Sequence, residues 1–135
     1  MAAFKLTRPV IAEHPLQVQL TSILRKELGP PGRVSAAGVV WFAVDHADYG
    51  GAVPAARIDR GIVAGLPDTF IIWRGIAHTV ELKREGGSLQ DSQIAVSAAL
   101  LLAGGKVGFA TTAEEYLGCL DSWGIPRARR VRLAA

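Results

Sequence analysis

Residues Gly65 to Arg84 read GLPDTFIIWRGIAHTVELKR, and this stretch decides the fold. Thr69 to Trp73 (TFIIW) and His78 to Arg84 (HTVELKR) are β-branched and aromatic runs of strand length. Arg74-Gly75-Ile76-Ala77 between them is short enough for a hairpin, so the two runs are expected to pair antiparallel. Downstream, Ser92 to Ala103 (SQIAVSAALLLA) reads as a helix opened by an Asp91 or Ser92 cap and stopped by Gly104 and Gly105. Lys106 to Thr111 is a further strand, and Thr112 with Glu115 three residues on is a capping box that opens a last helix through about Trp123.

Upstream, the continuous apolar run Gly38 to Val44 (GVVWFAV) reads as a buried strand, and the polar, glycine-paired Asp45 to Pro54 as a loop. Leu16, Leu20, Ile23, Leu24 and Leu28 form one helical stripe, with Pro15 in the first turn and Gly29-Pro30-Pro31 as the stop. The expected order is therefore α-β-β-β-α-β-α, with a strand-helix-strand crossover between the third and fourth strands. That is an α/β sandwich with a central mixed sheet flanked by helices.

The chain of 135 residues is 50% hydrophobic and 20% charged, with a mean hydropathy of +0.26, which suits one folded domain rather than a disordered chain. Cys119 is the single cysteine, so neither an internal disulfide nor a cysteine zinc cage is available, and a cytoplasmic setting is expected. His14, His46 and His78 lack zinc spacing, and Cys119 within an apolar helix reads as a core thiol. No apolar run reaches membrane-span length and the start has no signal-peptide core, so no membrane partner is expected. No phosphate-binding or dinucleotide-binding glycine motif is present, so no nucleotide cofactor is expected.

The net charge of +3 is unevenly placed: residues 1–126, expected as the domain, carry 11 basic and 12 acidic side chains. The tail, 127–135, holds Arg127, Arg129, Arg130 and Arg132 without an acid. Such a cluster suits phosphate binding, whereas Val131 and Leu133, alternating with Arg130 and Arg132, equally describe an edge strand or a strand swapped in a dimer.

Chemistry concentrates on Asp68 and, after twelve intervening residues, Glu81-Leu82-Lys83. Strand alternation sets Glu81 and Lys83 on one face and Val80 and Leu82 on the other, and the hairpin brings Asp68 beside them. Paired carboxylates are hard ligands of the kind Mg²⁺ or Mn²⁺ takes, and a neighbouring lysine can hold a water or stabilise charge on phosphorus. An isolated E-x-K would more often be a solvated ion pair; the upstream Pro67-Asp68 is what raises it above that.

At these residues the chain resembles the VRR-NUC domain of the PD-(D/E)xK nuclease superfamily. The likeness covers about Glu13 to Trp123, with its pieces in order: Glu13 to Leu20 (EHPLQVQL), Gly61 to Asp68 (GIVAGLPD), Glu81 to Arg84 (ELKR), then Gly87-Ser88-Leu89 and Gln93. It departs after the first strand, where Asp45-His46-Ala47-Asp48 stands in place of an Asn-Gly-rich turn. The resemblance implies a restriction-endonuclease-like fold in which Asp68, Glu81 and the Leu82 carbonyl hold Mg²⁺ or Mn²⁺. It further implies that Lys83 positions the water and that Glu13 and Gln93 complete the site. DNA, branched as in four-way junctions, would be the substrate and a homodimer the assembly. Gly65 would let the backbone pass close to the metal or the strand, and Arg84 and the tail arginines are candidate nucleic-acid contacts. Two other classes compete: a catalytically silent DNA- or protein-binding module of the same fold, and a hydrolase of some other phosphoester, which the short chain disfavours.

Overall fold

A computed structural model describes residues 8–45 and 53–128, with side chains from residue 15 onward. The elements run α1 (Arg8–Leu28), β1 (Val39–Ala43), α2 (Ala55–Ile58), β2 (Thr69–Trp73), β3 (Ile76–Leu82), α3 (Asp91–Leu102), β4 (Lys106–Ala110) and α4 (Ala113–Ser122). The four strands form one mixed sheet in the order β1-β2-β3-β4. The first two pairings are antiparallel and β3–β4 is parallel, so α3 is the crossover that the sequence calls for. The one-turn helix α2 has no counterpart in the sequence reading.

The apolar stripe of α1 puts Leu20, Leu24 and Leu28 in the core, where they meet Tyr116 and Leu120 of α4. Against them lie Val39, Trp41, Ile71, Val80, Leu82 and Ala110, the residues that the pleat directs to one face of the sheet. Gly29, at φ +91°, ends α1, and its carbonyl accepts the Trp41 indole N–H at 2.8 Å. No helix among the described residues is long and apolar enough to cross a membrane.

Three boundaries and one burial pattern differ from expectation, each for a physical reason. Helix α1 begins at Arg8, so Pro15 lies inside it and not in its first turn; the cost is the one intrahelical bond that its missing N–H would make. The hairpin turn is only Arg74-Gly75, with φ of +54° and +75°, the double left-handed geometry of a type I′ turn, and β3 accordingly starts at Ile76. The α3 cap is Gln90, one residue before the expected pair, because Gln93 turns back to it: the Gln90 N–H donates to Gln93 Oε1 at 2.9 Å. Strand β1 buries only Val39 and Trp41, since it is an edge strand whose other face stays open: Phe42 is exposed and stacks on Phe70 at 5.7 Å.

That second face is covered only in part. Among the described residues α3 contributes no buried side chain, and Ile94, Leu101 and Leu102 stand exposed. Helix α4 follows its capping signal, with the Glu115 N–H donating to Thr112 Oγ1 at 3.1 Å. The Glu115 carboxylate turns instead to the Thr111 N–H and hydroxyl, and these bonds hold its pKa below the ordinary carboxylate range.

The packed unit does not stop at residue 126. Arg127 donates two hydrogen bonds to Asp121, at 2.8 and 2.9 Å, and pairs with buried Glu27 at 3.1 Å. The Ala128 N–H adds a bond to the Glu27 carbonyl, so the chain end bolts α1 to α4.

Candidate functional site

The sequence motifs meet at the end of the sheet where β1, β3 and β4 finish and β2 begins. The Val44 N–H donates to the Asp68 carbonyl at 2.9 Å, which carries the β1–β2 register one residue past Ala43↔Thr69. Extending Thr69↔Val80 by one sets Asp68 opposite Glu81. Glu81 in turn pairs with Phe109 of β4, so Val44, Asp68, Glu81 and Phe109 form one row across the sheet. The row lies at the carboxyl ends of the two parallel strands, where open α/β sheets place their ligands.

Glu81 is 6% exposed, and its Oε1 accepts a 2.6 Å hydrogen bond from Gln93 Nε2. The other end of the same amide is held by the Gln90 N–H, and these two bonds together settle which end of the amide faces Glu81. Lys83 is half-buried just past β3, and its N–H continues the ladder to the Ala110 carbonyl at 2.9 Å. Continued pleating keeps it on the Glu81 face, opposite Val80 and Leu82 in the core.

Asp68 acts on the strand as well as facing across it. Its Oδ2 accepts the Leu82 N–H at 2.8 Å. Hydrogen-bonded pairs alternate in an antiparallel ladder: with residue 44 bonded to residue 68, Thr69 turns to Val80, and the next pair toward β3 is Pro67 with Leu82. Asp68 takes the Leu82 N–H in place of the Pro67 carbonyl, and proline has no N–H to offer in return. The Leu82 carbonyl therefore receives no donor from the strand ladder.

Two carboxylates on facing positions beside a carbonyl that β2 does not engage are the donor set of a hard divalent cation, and the site fits Mg²⁺ or Mn²⁺ on that chemistry. Among the described residues no three His, Cys, Asp or Glu side chains cluster. The set here is two carboxylates and a main-chain oxygen. The Glu13 side chain, the third carboxylate of the expected site, lies outside the described residues, as do His46, Arg129, Arg130 and Arg132.

The remaining candidates fall elsewhere. Arg84 is exposed at the turn after β3, where the Gly87 N–H donates to its carbonyl at 2.9 Å. Arg127 has its guanidinium engaged by Asp121 and Glu27, a structural bond in place of the expected phosphate contact. Gly65 meets α3 rather than open space. Trp123 packs on His78 at 5.4 Å and borders Gly108, as core packing requires. Cys119 is half-buried near Gly108, and burial pushes its thiol pKa up.

The supporting roles of two residues were not legible in sequence. Tyr116 of α4 is fully buried and shares a 2.5 Å hydrogen bond with Thr69, the residue after Asp68, and burial drives its phenol far above the usual tyrosine range. Pro67 is the other, through the donor it lacks. Neither of these roles carries a sequence signal of its own, although Pro67 stands out as part of Pro67-Asp68, because both arise from cross-strand or cross-layer neighbours.

Fold and site together define an α/β domain whose mixed sheet carries paired carboxylates and a lysine at the carboxyl ends of its parallel strands. Comparison of the chain with protein-family models, with curated proteins and with solved structures finds no match.

Proposed function

We propose that this protein is a divalent-metal-dependent DNA endonuclease of restriction-endonuclease-like architecture, selective for branched DNA such as four-way junctions and acting as a homodimer. The observation that carries the reading is the convergence of Asp68, Glu81 and the Leu82 carbonyl beside Lys83, in the order and spacing of the PD-(D/E)xK pattern. Asp68, Glu81 and the Leu82 carbonyl would hold Mg²⁺ or Mn²⁺. A cation held there would supply Lewis-acid stabilisation of phosphate charge and of a nucleophilic water.

The protein's own groups do the rest. Gln93 holds the Glu81 carboxylate in one orientation. The Lys83 ammonium donates hydrogen bonds to the attacking water and to the phosphate oxygen on which charge grows. Arg84, and Arg129, Arg130 and Arg132 of the tail, would contact phosphates without reading sequence.

The test is cleavage of duplex, single-stranded, flap and four-way substrates with Mg²⁺, Mn²⁺ or EDTA, with size measured by light scattering. Metal-dependent cutting strongest on branched substrates, by a dimer, is expected. Binding of DNA without cleavage under any metal would replace the enzyme with the silent binding module.

A further inference from the structure

Gly65 lies three residues ahead of Asp68, and both its conformation and its surroundings refuse a side chain. Its φ is +85°, and a Cβ there would run into the Ser92 carbonyl group and lie 2.8 Å from the Gln93 nitrogen. The obstacle is main chain in the first turn of α3, which cannot swing aside as a side chain would. Gly61, Gly75 and Gly86 have similar φ values of +84°, +75° and +79°, yet a Cβ on any of them would meet nothing within 4 Å. Close approach, and not backbone conformation alone, sets Gly65 apart.

The residue it touches is the one that reaches the site. The Gln93 main chain lies against Gly65, while the Gln93 amide donates to Glu81 at 2.6 Å. A continuous path thus runs from the Asp68 approach, through the first turn of α3, to the carboxylate facing Asp68.

We propose that Gly65 is a positioning residue: by letting the loop before Asp68 press against the α3 main chain, it seats Gln93 on Glu81 and so sets the geometry of the carboxylate pair. Its consequence for cleavage rests on the nuclease reading; the contact itself does not. A side chain at 65 has to push the start of α3 away, and the Gln93 amide then leaves Glu81.

The test uses the full chain labelled with ¹⁵N. In the unmodified protein a nuclear Overhauser effect between Gly65 Hα and the Gln93 backbone amide is expected, with a Gln93 side-chain amide protected from exchange. Gly65→Ala loses that protection, while Gly75→Ala, equally left-handed but with open space in the far hairpin turn, retains it. In cleavage, Gly65→Ala lowers kcat about a hundredfold with KM for DNA unchanged, the scale of an ångström-sized misplacement. In a Gln93→Ala background it costs less than about twofold more, because the two act through one contact. A missing Gly65–Gln93 effect in the unmodified protein overturns the proposal, and so does a folded Gly65→Ala with Gln93 still protected; the first measurement needs no variant to fold. An unmodified protein that shows the contact but cuts nothing removes the nuclease reading and leaves the positioning role standing.

Discussion

A carboxylate that accepts a backbone N–H can be there for structure or for chemistry, and Asp68 allows the two to be separated. Asn at 68 keeps an oxygen for the Leu82 N–H, now held at 2.8 Å, but gives up the charge. Asp68→Asn is therefore expected to melt within a few degrees of the parent while losing cation binding in calorimetry and about a hundredfold or more of cleavage rate. Lys83→Ala should lose a comparable rate yet keep the cation, since Lys83 is no ligand. A large fall in melting temperature for Lys83→Ala would make it a structural ion pair instead. Pro67 gives a finer test. Pro67→Ala restores an N–H that can donate to the Leu82 carbonyl, so Mg²⁺ affinity should fall several-fold for a stability change of about 1 kcal/mol or less; unchanged affinity would show that this carbonyl is no ligand.

At the level of elements, local signals succeeded where one residue satisfies its neighbour. The Thr112 cap on α4 is such a case: its hydroxyl accepts the Glu115 N–H as the spacing implies. Thr112→Ala should cost about 1 kcal/mol in urea unfolding and leave the site untouched, because α4 packs on the opposite face from Glu81. Local signals fell short where the deciding partner is distant. The run Gly38 to Val44 reads as a buried strand, yet Phe42 is exposed because β1 is the edge strand and α3 packs at β4, the opposite edge of the sheet. The two-residue turn was hidden because Arg74 is not a residue that advertises positive φ, although Gly75 beside it is.

Across the whole molecule, Arg127 joins the two helices of the core face. Arg127→Ala takes the guanidinium from buried Glu27 and should destabilise by about 1–3 kcal/mol, less than a fully buried pair because the Asp121 arm is open to water. Its pH dependence has a definite sign. Hydrogen bonding to Arg127 lowers the Asp121 pKa from its ordinary 3.8, so this contribution is present above that value and is lost as pH falls through the lowered one. The Asp121 part of the difference between parent and Arg127→Ala should then shrink below about pH 4, read by thermal melts across pH 2–7. Deleting 129–135 is a separate test. If Arg129, Arg130 and Arg132 contact phosphates, the slope of log affinity against log salt flattens by up to about three contacts' worth, with cleavage at saturating DNA preserved. A shifted mass with an unaltered slope would assign them to assembly.

The sequence alone determined the four strands, the three longer helices, their order and the crossover, because periodicity, caps and glycine stops are local and each of these elements needs only its own residues to declare itself. It also marked Glu81 and Lys83, as charge in an apolar strand that the upstream Pro67-Asp68 raises above a solvated ion pair, and Gln93 through the family resemblance alone. Only the tertiary structure decided what those residues touch. That Asp68 caps Leu82 where proline leaves its carbonyl without a strand donor, that Gly65 answers to α3, and that Arg127 belongs to the core depend on neighbours 14, 27 and 100 positions away. Contacts of that range are set by how strands register and layers pack, and no window along the chain contains both partners.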